Sequence, residues 1–248
     1  VRTIRHMRCA RRTLLECMGE RASKHKIQAL LAATDFDLAA LLALPPGATV
    51  NQLIGGLCAT DERVKWRAVT ALGQVVAGMA DAEMEDARIV MRRFMWMLND
   101  ESGGIGWGVP EAMAEILASH QGLAEEYANI LVSFLRPDGF YLEYAPLQQG
   151  LLWGIGRFAA VRPDLLHKFK ATAFLSPYLE SPDGAVRGLA ARALGLLGAR
   201  ATSAAIVGLR GDATPVRLFN DGQLTMVTTG QLAAEAAGRL APQKLSSP

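Results

Sequence analysis

The chain has 248 residues, half of them hydrophobic, with 26 Lys and Arg against 24 Asp and Glu. That length allows a substantial core, yet no apolar run is long and uncharged enough to span a bilayer. Cys9, Cys17 and Cys58 cannot all pair with one another, none sits in a CxxC motif and the four histidines are scattered, so reduced thiols, no metal site and no cofactor are expected.

The first 26 residues hold eight Arg or Lys and two Glu, a charge of +6 that leaves −4 on the remainder. A basic leader can touch nucleic acid or an acidic partner. The mildly acidic remainder would not continue a phosphate-binding track, so nucleic acid is not expected and a solvated face on a capping helix is favoured. No signal-peptide apolar stretch follows the arginines, which points to the cytoplasm. Residues 1–47 read as N-terminal capping helices over roughly 3–18 and 24–44, with Pro45-Pro46-Gly47 ending the second.

From 48 to 240 the chain repeats itself. Asp61, Val64, Lys65, Ala68, Ala71, Leu72 and Gly73 recur in register as Asp183, Val186, Arg187, Ala190, Ala193, Leu194 and Gly195. Weaker copies lie at 107–114, 150–154 and 232–238. The small residue after the Leu-like position falls at Gly73, Ala114, Gly154, Gly195 and Gly238, at spacings of 41, 40, 41 and 43 residues. Such a period means stacked similar units. Each holds two helical patterns. The first runs through 52–57, 87–98, 123–135 and 165–179, with apolar residues three and four apart. The second is richer in Ala and carries the motif. Asp61 and Asp183 sit where an N-cap belongs, and Pro110, Pro163 and Pro182 suit first turns or the turns between helices.

The middle units depart from this pattern. The run from Ser102 to Glu111 holds Gly103, Gly104, Gly106 and Gly108. Glycines before a helix let backbone amides converge on an anion or a ligand approach closely; the competing reading is a tight loop under a stacked tryptophan. No Gly-Lys-Ser/Thr follows and the GxGxxG spacing is absent. Trp107 and Glu111, four apart, share a helix face, as do Trp153 and Arg157 one unit later. Trp107 aligns with Trp66. Trp153 aligns with Leu72 and Leu194, which makes a core position its competing reading. Trp66, Gly104, Trp107, Glu111, Tyr144, Trp153 and Arg157 form the candidate binding set: flat aromatic surface, one acid and one fork of donors.

Residues 215–228 alternate and turn on Asn220-Asp221-Gly222, the signal of a β-hairpin inserted between the helices of the last unit. Val216, Leu218, Leu224 and Met226 are its candidate packing side chains. A cap over exposed core is favoured for it over a lid or a partner-binding edge. Residues 241–248 read as a flexible tail.

The pattern Asp-x-x-Val-[Lys/Arg]-x-x-Ala-x-x-Ala-Leu-Gly resembles the HEAT-like repeat of the phycobilisome-lyase type. With the spacing it implies an all-α, right-handed α-solenoid of about five helical pairs, armadillo-like and continuous with its N-terminal cap. Such repeats serve scaffolds, lyase subunits, hydroxylases and DNA-repair enzymes, so the resemblance bears on fold more than on function. The HEAT-like deoxyhypusine hydroxylases use His-Glu pairs as iron ligands, and no His-Glu dipeptide is present. The expected function is non-catalytic binding, an adaptor or scaffold whose concave face takes a protein, peptide or small ligand. The alternative is a HEAT-fold enzyme or lyase-type accessory protein with a pocket around Trp107 and Glu111. DNA-glycosylase-like chemistry is its weakest variant, because residues 60–160 carry more acids than bases.

Overall fold

A computed structural model of the chain describes residues 24–99 and 103–241. The segment 3–18, Cys9, Cys17, Ser102 and nearly all of the expected tail lie outside the described residues. Helix α1 covers 24–32 and α2 Leu38–Leu42, followed by α3 (Pro46–Gly56), α4 (Glu62–Ala82), α5 (Met84–Met97), α6 (Val109–Ser119), α7 (Gln121–Ser133) and α8 (Ala145–Val161). Then come α9 (Pro163–Lys168), α10 (Ala171–Leu175), α11 (Gly184–Leu196), α12 (Ser203–Gly208), strands β1 (Pro215–Asn220) and β2 (Gln223–Thr228), and α13 (Thr229–Leu240). Among the described residues no helix is long and apolar enough to cross a membrane.

The motif helices α4, α6, α8, α11 and α13 each pack on the next and form the spine of the stack. Asp61 and Asp183 cap two of them, accepting from the amides of Arg63 at 2.9 Å and Val186 at 3.0 Å. The small motif residue sits at the contacts between units. A methyl group on Gly154 would lie 2.6 Å from Ala114 Cβ, and one on Gly195 2.6 Å from Ala236 Cα. On Gly238, in the last helix, it would meet nothing within 4 Å.

Two expected helices are broken. The 24–44 segment divides at 33–37, where Asp37 caps α2 by accepting from Ala40 N at 2.9 Å. An Asx cap starts a new helix there instead of continuing the old one. Pro46 then opens α3 as well as following α2, in keeping with its fixed φ. The 165–179 segment divides into α9, α10 and a 3-10 turn because Lys170 takes a left-handed conformation, φ 56°.

The hairpin forms where expected. Asn220 pairs with Gln223, leaving the two-residue turn Asp221-Gly222 at φ 49° and 78°. Both positive angles match the twist of the flanking strands. The register sets Val216 opposite Val227 and Leu218 opposite Thr225, so Leu224 and Met226 share the other face with Phe219 and Arg217. Val216 and Leu218 are buried, Leu224 is half-buried and Met226 is 61% exposed, so Met226 is not a packing residue. Nor is the hairpin confined to the last unit, as an end cap would be. Phe219 stacks on Trp66 of α4, and Arg217 Nη1 reaches Glu62 Oε1 of the same helix at 2.8 Å. It therefore crosses the face lined by the motif helices and ties the last unit to the first.

Its base is clamped by Asp212. One carboxylate oxygen accepts from Thr214 N and Oγ1 at 3.0 and 2.6 Å, the other from Arg187 Nε and Nη2 at 3.0 and 2.5 Å. The Thr214 hydroxyl, then Arg187, pull the Asp212 pKa down to about 2. The folded value lies below the unfolded value of about 4. The stabilisation is therefore complete above that pH and is lost as pH falls through the folded value. Thermal melts of wild type and Asp212→Asn should differ by a constant margin above about pH 5 and converge towards pH 2. A margin unchanged down to pH 2 would show that this charge does not hold the hairpin base.

Candidate functional site

The site is built around α6. Its two carboxylates, Glu111 and Glu115, are one turn apart and both are buried. Each takes its cation from a different neighbour. Lys65 Nζ of α4 donates to Glu111 Oε1 at 2.7 Å, and Arg157 of α8 grips Glu115 with Nε and Nη2 at 2.7 and 3.1 Å. Each also rests on a glycine of the opposite neighbour: a methyl on Gly150 of α8 would strike the Glu111 carboxylate, and one on Gly73 of α4 would lie 2.8 Å from Glu115 Cγ. Hydrogen bonding to Glu115 raises the Arg157 pKa above its ordinary value. Three consecutive motif helices are thus laced by two ion pairs on one face.

Beside this lacing stands an aromatic cluster. The rings of Trp66 and Trp153 lie 4.5 Å apart, and Phe219 stacks on Trp66 at 4.7 Å with 8° between planes. Trp153 Nε1 donates to Phe219 O at 2.8 Å, which satisfies the one polar atom of a buried indole. The core reading for Trp153 is therefore correct, with the hairpin as its partner. Trp107, by contrast, is 39% exposed and meets the half-exposed Tyr144 edge to face at 5.7 Å.

These groups bound three adjoining hollows. The central one, about 490 Å³, is walled by Trp66, Trp107, Glu111, Trp153, Arg217 and Met226. A cleft of about 480 Å³ beside it is lined by Gly104 and Tyr144. Arg157 faces a third, of about 280 Å³, on the far side of the Trp66–Phe219–Trp153 cluster. Of the seven candidate residues, four share the central cavity and two line the cleft next to it. Arg157 does not meet Glu111: its partner is Glu115, and Phe219 and Trp153 stand between the two hollows. The glycine run is structural in two of its positions. Gly108 caps α6 at φ 71° against the Leu57 backbone, and a methyl on Gly106 would lie 2.9 Å from Met97 O. An acid, Glu111, already occupies the first turn of α6, where an anion would bind.

Lys65, Glu62, Glu115, Phe219 and Arg217 also shape the site, and the candidate set omits them. The signal for Lys65 was present, since it fills the basic motif position. The others depend on contacts between distant units.

No family model matches the chain. It is similar to an uncharacterized protein of Archaeoglobus fulgidus, 33% identical over 114 residues, covering 46% of this chain and 56% of that protein. The chain thus spans just over half the length of the curated relative it matches. Among solved structures it is similar to a designed armadillo repeat protein in complex with the peptide (KR)4, at a TM-score of 0.54 and 15% identity, covering 89% of this chain and 92% of that one. Computationally designed armadillo repeat proteins for modular peptide recognition give 0.52 and 15%, covering 89% and 93%. The fold is an armadillo/HEAT-like α-solenoid.

Proposed function

We propose that the protein is a non-catalytic binding module whose central cavity receives a short peptide segment of a partner, with one apolar side chain inserted between the tryptophans. The observation that carries this is the rim. Trp107, Tyr144 and Met226 are all large, apolar and exposed, at 39%, 49% and 61%. Trp107 and Met226 wall the same cavity, and Tyr144 touches Trp107. Exposed apolar groups gathered at the mouth of an aromatic hollow mark an interaction site. The charges inside are paired, Lys65 with Glu111 and Arg217 with Glu62, so the cavity presents aromatic surface with a neutral balance. The hairpin lies across the inner face, which favours a short inserted segment over a peptide running the length of the solenoid. A designed armadillo protein of similar fold carries a peptide, which supports the class of partner and not its sequence.

The test is selection of random peptides displayed on phage against the full chain. Peptides sharing an aromatic or aliphatic residue at one fixed position should be enriched. Trp107→Ala should weaken their binding about ten-fold or more, as for a central anchor residue, with helical circular dichroism unchanged. No enrichment, or equal binding by the variant, would refute the reading. Unfolding of Trp107→Ala would make the residue structural.

A further inference from the structure

The third hollow contains a charge that the fold leaves unanswered. Arg192 of α11 lies beneath the hairpin turn, and its Nη2 reaches Asn220 Oδ1 at only 3.4 Å. A guanidinium offers five donors, and among the described residues no carboxylate comes within ion-pair distance of this one. Burial is the largest influence and lowers the Arg192 pKa; Glu235 and Asp221 act on it from longer range against Arg239 and Arg157. A half-buried cation with so few hydrogen bonds is destabilising unless something else completes it. The fold nevertheless makes room for it. A methyl group on Gly156 of α8 would lie 2.6 Å from Arg192 Nη1, so the guanidinium rests on a helix surface kept bare.

Arg157 faces the same hollow. Glu115 engages its Nε and Nη2 and leaves Nη1 with no described partner. Trp153 and Phe219 supply aromatic wall, and Asn220 supplies an amide at the turn. We propose that this hollow binds a small organic carboxylate, held between Arg192 and Nη1 of Arg157 with its apolar body against Trp153 and Phe219. The planar fork of Arg192 and the remaining donor of Arg157 suit the two oxygens of a carboxylate. Glu115 and Asp221 line the same hollow, and their charges oppose a second negative charge on the ligand, which disfavours a phosphate dianion. The site is separate from the central cavity and does not depend on the peptide-binding reading.

The experiment is isothermal titration of the full chain with sodium benzoate, using sodium chloride as the ionic-strength control and inorganic phosphate as competitor. Saturable benzoate binding is expected, weakened about ten-fold or more in Arg192→Gln through loss of the charge-assisted fork. Gly156→Ala should weaken it similarly by displacing the guanidinium. Alanine suits a helix interior better than glycine, so this variant keeps the test decisive if Arg192→Gln loses helical circular dichroism. Trp107→Ala should bind benzoate as wild type does. Absence of saturable heat in the wild type, or wild-type binding by the folded variants, would overturn the site. Displacement of benzoate by equimolar phosphate would overturn the carboxylate assignment.

Discussion

Gly195→Leu should destabilise the protein by about 3 kcal/mol, at the upper end of the range for overpacked sites. The position lies where α11 meets α13, and its Cβ would stand 2.6 Å from the Cα of Ala236. The obstacle is backbone, so no rotamer change relieves it, and the two helices must separate. Separation would also loosen the hairpin, whose base is pinned to Arg187 of α11. The control is Gly238→Ala, at the same motif position in the last helix but with nothing within 4 Å. There the substitution removes a poor helix former from α13 and should be neutral or stabilising by up to about 1 kcal/mol. Urea denaturation of both variants is the measurement. An unchanged midpoint for Gly195→Leu would refute the assignment of this glycine as a contact between units.

The stack was legible because its causes are local and recur. An Asp cap, a small residue and a Leu at fixed offsets need no distant partner to be recognised. The break at Lys170 was not legible, because a lysine at positive φ leaves no compositional trace. Glu111 could be singled out as an acid on the face of Trp107, but its seat on Gly150 and its bond to Lys65 belong to contacts with other units. The facing of Arg157 depended on a repeat alignment in which one residue turns a helix by about 100°. The structure places it on Glu115 instead of Glu111. The hairpin shows the same limit. Alternation and an Asp-Gly turn announced its strands, whereas Arg217 meets Glu62 across a separation of 155 residues. Nothing in the alternation distinguishes a strap from a cap.

Lys65→Met should be the most damaging substitution inside the central cavity. The Glu111 side chain is only 5% exposed and Lys65 24%, and Lys65 is the one described hydrogen-bond partner of that carboxylate. Removing one member of a buried pair leaves an uncompensated charge, worth about 3–5 kcal/mol in a fully buried site; the exposure of Lys65 sets the expectation at about 3 kcal/mol near pH 7. Urea denaturation of wild type and variant at about pH 7 is the measurement. An unchanged midpoint would mean that no buried charge had been stranded. The double variant Lys65→Met/Glu111→Leu removes both charges and should recover most of the lost stability, since an apolar pair of similar volume often matches a buried ion pair. If it folds as stably as wild type yet loses the peptides selected against the native cavity, the pair serves recognition. If it retains them, the pair only laces α4 to α6, and the aromatic rim alone carries the binding.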